Sequence, residues 1–270
     1  MHDPKLADLA ATLPASVRIQ SPAENVLLVS LARAEKRNAL DDITVLGLAA
    51  VFDALPAGTG AVILAGEGEH FCAGLDLSEL SSRDIPSGIE HSRLWHRIFD
   101  TIQFGSVPVI SVLKGAVIGG GLELASATHI RVAEKSAFYA LPEGQRGIFV
   151  GGGGSVRLTR LIGVSRMMDM MLTGRSHDAA AGQAMGLSHY VVESGTGLQQ
   201  ALEIAAKVST NAPMTNFAVL HALPRIAEAD PATGYLTEAL MASIAQGDEE
   251  AKRRIRDFLA KRAAKVVAPK

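Results

Sequence analysis

Of 270 residues, 48% are hydrophobic and 20% charged, so the chain can bury one large core, with room for a small appendage, and does not read as disordered. Lys and Arg number 26 against 28 Asp and Glu, a formal net charge of −2, which excludes the basic surplus of a nucleic-acid binder and leaves single anionic ligands open. The one cysteine, Cys72, excludes an intramolecular disulfide framework and fits a reducing compartment.

Asn25-Val26-Leu27-Leu28-Val29-Ser30-Leu31 is a short run of mostly branched apolar residues and reads as a buried strand. Asp41 and Asp42 read as the N-cap and first turn of a helix with apolar positions at Ile43, Leu46, Ala50 and Leu55. Ala61-Val62-Ile63-Leu64-Ala65 is a second strand closed by Gly66, and His70-Phe71-Cys72-Ala73 a further short one ending at Gly74. The pattern predicts a helix over 87–104, a strand over 109–113, and a helix led in by Gly119-Gly120-Gly121. Strands at 129–133 and 136–139 follow, then helices at 154–162 and 165–172 behind the Gly151-Gly152-Gly153-Gly154 run. From about 196 onward the pattern is almost entirely helical. Strand and helix units first, helices last, predict an α/β core over 1–195 and a helical C-terminal region over 196–270. No window approaches the roughly 18 uninterrupted apolar residues of a membrane span. The N-terminal Met1-His2-Asp3-Pro4-Lys5 has no signal-peptide apolar stretch, and the C-terminal Val267-Ala268-Pro269-Lys270 is not a peroxisomal address. A soluble cytoplasmic protein is expected.

The chemistry concentrates in two glutamates beside glycines. Glu123 follows Gly119-Gly120-Gly121, and Glu143 stands in Ala140-Leu141-Pro142-Glu143-Gly144. A carboxylate just after a glycine run lies where a helix begins and backbone N–H groups gather. Two carboxyls facing one site supply an acid and a base. The segment Gly66 to Leu77 could turn backbone amides outward to hold a carbonyl oxygen, or be a plain turn capped by Asp76. The Gly119-Gly120-Gly121 run lacks the rest of a phosphate loop, and reads either as a helix start open to a ligand or as a packing turn. The Gly151-Gly152-Gly153-Gly154 run reads as a helix start that could line a cavity. Cys72 between Phe71 and Ala73 reads as a buried, inert thiol. The eight histidines show no metal spacing, and no Gly-x-Ser-x-Gly elbow is present.

In this order and spacing the chain resembles the crotonase superfamily, the family of enoyl-CoA hydratase. The landmarks are Arg37-Asn38-Ala39-Leu40, Phe71 to Leu77, Lys114-Gly115 through Glu123-Leu124, Pro142-Glu143, Arg157-Leu158 with Leu161-Ile162-Gly163, Leu172-Thr173-Gly174, Ala184 to Leu187, and Val191-Val192. The resemblance implies a crotonase-like spiral of ββα units. It implies an oxyanion hole made by the backbone N–H groups of Leu75 and Gly120, and Glu123 and Glu143 as the two catalytic glutamates. Ala73, Asp76 and Leu77 would line the CoA channel, and Phe258 and Lys261 would reach CoA on a neighbouring subunit. It further implies a homotrimer or homohexamer in CoA-linked fatty acid metabolism, with no metal or other cofactor, coenzyme A being part of the substrate. One departure is Gly144-Gln145-Arg146-Gly147, where many hydratases are apolar. Gly144 could loosen the aim of Glu143, and Arg146 could lower its pKa or meet a polar acyl group.

The expected reaction is reversible hydration of 2-enoyl-CoA to 3-hydroxyacyl-CoA. An enoyl-CoA isomerase could use one glutamate alone. A non-catalytic acyl-CoA-binding protein would need the oxyanion hole and neither carboxylate, so the retained pair argues against it. Neither nucleic acid nor membrane is expected as a partner.

Overall fold

The computed structural model describes residues 4–80 and 83–262; the terminal segments 1–3 and 263–270, with the C-terminal tetrapeptide, lie outside them. Two compact units emerge, Met1–Ser209 and Thr210–Lys270.

The first unit opens with α1 (Pro4–Thr12), β1 (Val17–Ala23) and β2 (Val26–Leu31). Asp41 caps α2 (Asp42–Asp53), its Oδ1 accepting from Thr44 N–H at 2.8 Å. Then come β3 (Ala61–Gly66), α3 (Ile85–Gln103), β4 (Val109–Leu113), β5 (Ala116–Ile118) and α4 (Gly120–Ser126). After β6 (Ile130–Glu134) and β7 (Phe138–Ala140) follow α5 (Gly154–Ile162), α6 (Val164–Thr173), β8 (His177–Asp178), α7 (Ala179–Met185), β9 (Tyr190–Val192) and α8 (Gly197–Val208). Strands β1-β2-β3-β4-β6-β9 make one sheet, antiparallel at β1 and parallel elsewhere, and β5-β7-β8 make a smaller one.

The near-continuous apolar runs of β2 and β3 follow from burial on both faces. Alternate residues Leu27, Val29, Leu31, Val62 and Leu64 join the main core with Phe71, Trp95, Phe99 and Leu122. Val26, Leu28, Ala61 and Ile63 face the other way, onto Ala201, Ile204 and Ala205 of α8. That packing puts α8 with the sheet, so the compact first unit runs on to Ser209 and not to the expected boundary at 195. Burying each such Leu or Ile contributes about 1.5–3 kcal/mol, which outweighs any tendency of α8 to group with the later helices.

Two local expectations are corrected. The stretch 70–73 is not a strand: it is extended chain with a single bridge, Cys72 to Val117, because Gly74 (φ 98) turns it away. Helix α2 buries Thr44, Val45, Leu48 and Val51, and leaves the predicted Ile43 and Leu46 exposed.

The second unit is helical. It holds α9 (Pro213–Phe217), a wide turn over Ala218–Ala222, α10 (Leu223–Glu228), α11 (Pro231–Gly247) and α12 (Glu249–Leu259). The wide turn stands just before Pro224, which has no N–H to continue regular helical bonding. Among the described residues no helix is long and apolar enough to cross a membrane.

Candidate active site

Four segments of the first unit converge on a cavity of about 460 Å³, whose wall includes Ala73, Leu75, Leu77, Gly120, Glu123 and Glu143. Six residues named from sequence thus line one space.

Glu123 stands in the first turn of α4 and is 3% exposed. Its Oε1 accepts from Gly152 N–H at 2.8 Å and Gly154 N–H at 2.7 Å. Helix α5 starts at Gly154, and its N-cap, Gly153, has no side chain to offer. The Glu123 carboxyl takes the place of that cap, at the positive end of the helix dipole. This explains the glycine run. A Cβ on Gly154 would lie 2.8 Å from Glu123 Cγ, and one on Gly152 3.3 Å from the carboxyl carbon. Burial pushes the Glu123 pKa up; the amides of Gly154, Gly152 and Gly151 and the charge of Arg157 oppose it without cancelling it. Arg157 donates to Asp100 Oδ1 (2.6 Å), Gln103 Oε1 (2.6 Å) and Gly152 O (3.0 Å), which ties α5 to α3.

Glu143 follows β7 and is 6% exposed. Its carbonyl accepts from Arg146 N–H (3.0 Å) and Ile148 N–H (3.1 Å), so the chain wraps closely behind it. Oε2 is buried and has no hydrogen-bond partner among the described residues. Gly119 (φ 51) stands directly against it: a Cβ there would lie 2.5 Å from Oε1. Burial pushes the Glu143 pKa up to about 7; the neighbouring Glu123 charge raises it further and Arg146 opposes both. The two glutamates therefore differ in kind. The Glu123 carboxyl accepts from two amides of a helix start, whereas Glu143 has a buried oxygen with no partner among the described residues and the charge of Arg146 offsets its burial only in part.

Beside them are two backbone donors. Leu75 lies between Gly74, whose carbonyl accepts from Leu40 N–H (2.8 Å), and Asp76, whose N–H donates to Leu40 O (2.7 Å). In extended chain successive N–H groups point to opposite sides, so the Leu75 N–H faces away from Leu40. Gly120 opens α4, where an N–H has no intrahelical acceptor. Among the described residues neither N–H has a protein partner. A Cβ on Gly120 would lie 3.3 Å from Leu75 N, so the two donors are close. The Arg37-Asn38 landmark builds this strap. Both residues are left-handed (φ 51 and 55), and the Asn38 amide donates to Glu67 O (2.9 Å) and His70 O (2.8 Å), while Arg37 O accepts from Ala73 N–H (2.9 Å). Asp76 turns its carboxylate to Arg33 (3.0 Å) and Lys36 (2.9 Å), which with Ser78 hold its pKa well below the usual carboxylate range.

Cys72 is fully buried and its thiol is pushed up to about 12, as expected of an inert sulfur. Behind Glu143, Gly144 packs on the Met171 carbonyl, and Gln145 Nε2 donates to Thr173 O at 2.6 Å, away from the cavity. Arg146 does line the cavity. Phe258, on α12, and Lys261, just beyond it with φ 57, are exposed residues of the second unit. Among the described residues no group of three or more His, Cys, Asp or Glu could hold a metal ion.

The far wall of the cavity escaped the sequence reading. Trp95, Arg83 and His91 line it, and all three converge on Asp42 through contacts 41 to 53 positions apart. The available signal was an aromatic row at helical spacing, His91, Trp95 and Phe99.

The family model for enoyl-CoA hydratase/isomerase matches residues 21–266. The 2,3-dehydroadipyl-CoA hydratase of Escherichia coli K12 is 32% identical over 248 residues, covering 90% of this chain and 96% of that protein. A candidate enoyl-CoA hydratase of Rhodopseudomonas palustris CGA009 has a crystal structure that is similar at a TM-score of 0.89 with 58% identity, covering 93% of this chain and 98% of that one. The enoyl-CoA hydratase of Bacillus anthracis superposes with a TM-score of 0.86 at 29% identity, covering 92% and 97%. The chain therefore belongs to the enoyl-CoA hydratase/isomerase family and has the crotonase fold, and hydration of enoyl-CoA, a hydro-lyase reaction, is the activity this membership supports.

Proposed function

We propose that the chain hydrates 2-enoyl-CoA thioesters reversibly, with Glu123 as the base, Glu143 as the acid, and the N–H groups of Leu75 and Gly120 as the oxyanion hole. The observation that carries this is the contrast between two buried glutamates on one cavity. Glu123 accepts from two amides, which favour its charged form against burial; Glu143 has an unpartnered buried oxygen and a pKa raised to about 7, so a proton on it is readily held and readily given near neutral pH. The thioester oxygen sits between the two backbone donors. Glu123 takes a proton from water as the water oxygen bonds to the β-carbon. Negative charge builds on the thioester oxygen, where each donor is worth about 2.7–4 kcal/mol of barrier. Glu143 then delivers its proton to the α-carbon, and the reverse order runs the dehydration.

Ala73 and Leu77 flank the CoA arm, with Asp76 acting through backbone, since its carboxylate is already paired. Phe258 and Lys261 serve a neighbouring subunit's CoA in a trimer or hexamer. Coenzyme A arrives as part of the substrate, and the reaction is read as needing no other cofactor. The buried, unpaired thiol of Cys72 fits a cytoplasmic setting. The test is ultraviolet absorbance of the conjugated thioester across enoyl-CoAs of several lengths and polarities, without metal, nucleotide or flavin. Loss of absorbance with 3-hydroxyacyl-CoA as product is expected. Unchanged absorbance throughout would sink the hydratase reading, and tight acyl-CoA binding without turnover would favour a binding protein.

A further inference from the structure

Asp42 lies outside the catalytic residues named above, yet three side chains of the cavity wall close on it. Its Oδ1 accepts from Trp95 Nε1–H at 3.0 Å and lies 2.8 Å from His91 Nδ1, and its Oδ2 accepts from Arg83 at 2.9 Å. Asp42 opens α2, while His91 and Trp95 are on α3 and Arg83 just precedes that helix. One carboxylate thus joins the two helices and the segment leading into the second. Burial pushes the Asp42 pKa up, but the Trp95 and Arg83 hydrogen bonds and the nearby His91 hold it below the usual carboxylate range, so it is charged near neutrality.

Trp95 is where this contact meets the chemistry. The indole is 2% exposed and stacked in a tilted row between His91 (5.1 Å) and Phe99 (5.6 Å). A Cβ on Gly120 would lie 3.1 Å from Trp95 Cζ3. The indole edge therefore backs the backbone that carries one of the two donors. The ring is packed along α3, and its N–H makes one hydrogen bond, to Asp42. A buried indole N–H left without an acceptor is disfavoured, which is a drive for the ring to turn toward a new one.

We propose that Asp42 is a positioning residue for the hydratase reaction: it fixes the Trp95 ring against Gly120 and, with Arg83 and His91, holds the α3 wall of the cavity in register with the donor pair. This rests on the hydratase reading. A displacement of about 1 Å in such a wall can cost roughly 10²-fold.

The test uses the fact that Trp95 is the only tryptophan in the chain, so fluorescence reports this ring alone. In the parent, emission should be that of a buried indole, poorly quenched by acrylamide. D42L roughly keeps the size and removes every acceptor, leaving the Trp95 N–H without its partner. It is expected to lower kcat roughly 10-fold or more with KM changed less than threefold, to shift Trp95 emission, and to raise acrylamide quenching. D41N, which takes the charge from the α2 cap and from its ion pair with Arg33, should lower Tm while leaving the emission as in the parent. If D42L is folded and shows parent kcat and parent emission, the anchor role is wrong. Should D42L not fold, W95F carries the test: it keeps an aromatic ring and removes the N–H, and parent-like kcat there overturns the proposal. A parent enzyme that hydrates no enoyl-CoA sinks the underlying reading, whereas emission and quenching judge the Asp42 anchor without turnover.

Discussion

A carboxyl that must hold its proton at working pH is one the fold can tolerate only at some cost, and Glu143 shows both sides. Its folded pKa is about 7 against an ordinary 4.5. As an acid it is competent below pH 7, so kcat/KM should fall as pH rises through about 7. The linkage has a definite sign. The folded state keeps a proton that the unfolded chain releases, so the fold is undisturbed below about 4.5 and loses stability as pH climbs to 7, by about 3 kcal/mol in all. Glu143→Gln should therefore cut turnover by about 10²–10⁴-fold and yet raise Tm at pH 8 by several degrees, a gain that shrinks at pH 5. Melts at the two pH values with matched kinetics check this; a parent-like melt at pH 8 would contradict the buried charge. Glu123→Gln should lower turnover comparably while CoA-thioester binding persists. If it were silent while Glu143→Gln was dead, a one-base isomerase would be the better reading.

Arg146 acts on the same carboxyl. It lines the cavity, makes no salt bridge among the described residues, and pulls the Glu143 pKa down. Arg146→Leu should move the alkaline limb of the profile upward in pH. It should also lower the kcat/KM ratio of carboxylate-bearing to plain enoyl-CoAs, if the guanidinium meets the acyl end. A folded variant with both the limb and the ratio unchanged would show that Arg146 has no part in the reaction or in substrate choice.

At the scale of elements, the glycine run before α5 separates stability from activity. Gly154 has helical backbone that alanine readily adopts, and alanine gains up to about 1 kcal/mol in a helix. A Cβ there would collide with Glu123 Cγ. Gly154→Ala should keep Tm close to the parent while lowering kcat roughly tenfold or more, as kinetics and a thermal melt would show. Parent-like kcat would mean that Glu123 relaxes without loss. The same segment shows what the sequence made legible. Glu123 and Glu143 stood out because glycines flank them, and a glycine run is a local signal. That the second run exists to admit the Glu123 carboxyl was not legible, since the partners are about thirty positions apart and the run has no side chains of its own. Strands β5 and β8, which flank β7, were missed because each is only two or three residues long. Strand β1 was missed because its alternation is broken by Ser21 and Pro22. The α2 face was misjudged because Thr44 and Gly47, poor hydrophobes, are buried there while Ile43 is not.

For the whole molecule, the expected assembly needs surface to bury. The apolar row of α8 is used up against the sheet, Leu198 aside. In the second unit, however, Leu236, Leu240 and Ile244 make an exposed row at four-residue spacing on α11, and Ile255, Phe258 and Leu259 are exposed on α12. Such rows on a helical unit call for a partner surface. Sedimentation should give a trimer or a pair of trimers, and a monomer at micromolar concentration would leave Lys261 without a neighbour's ligand to reach.

The main sheet itself adds a restriction on how copies can meet. Its outer strand β1 carries Pro22 and a register shift between Gln20 and Ala23, and its other border, β9, is three residues long. A border with a missing donor, or one too short to template, does not recruit a strand from a second chain. Association by extending the hydrogen-bond ladder from copy to copy, the route to fibres, is thereby blocked at both borders, and growth of the assembly is left to closed contacts between side chains.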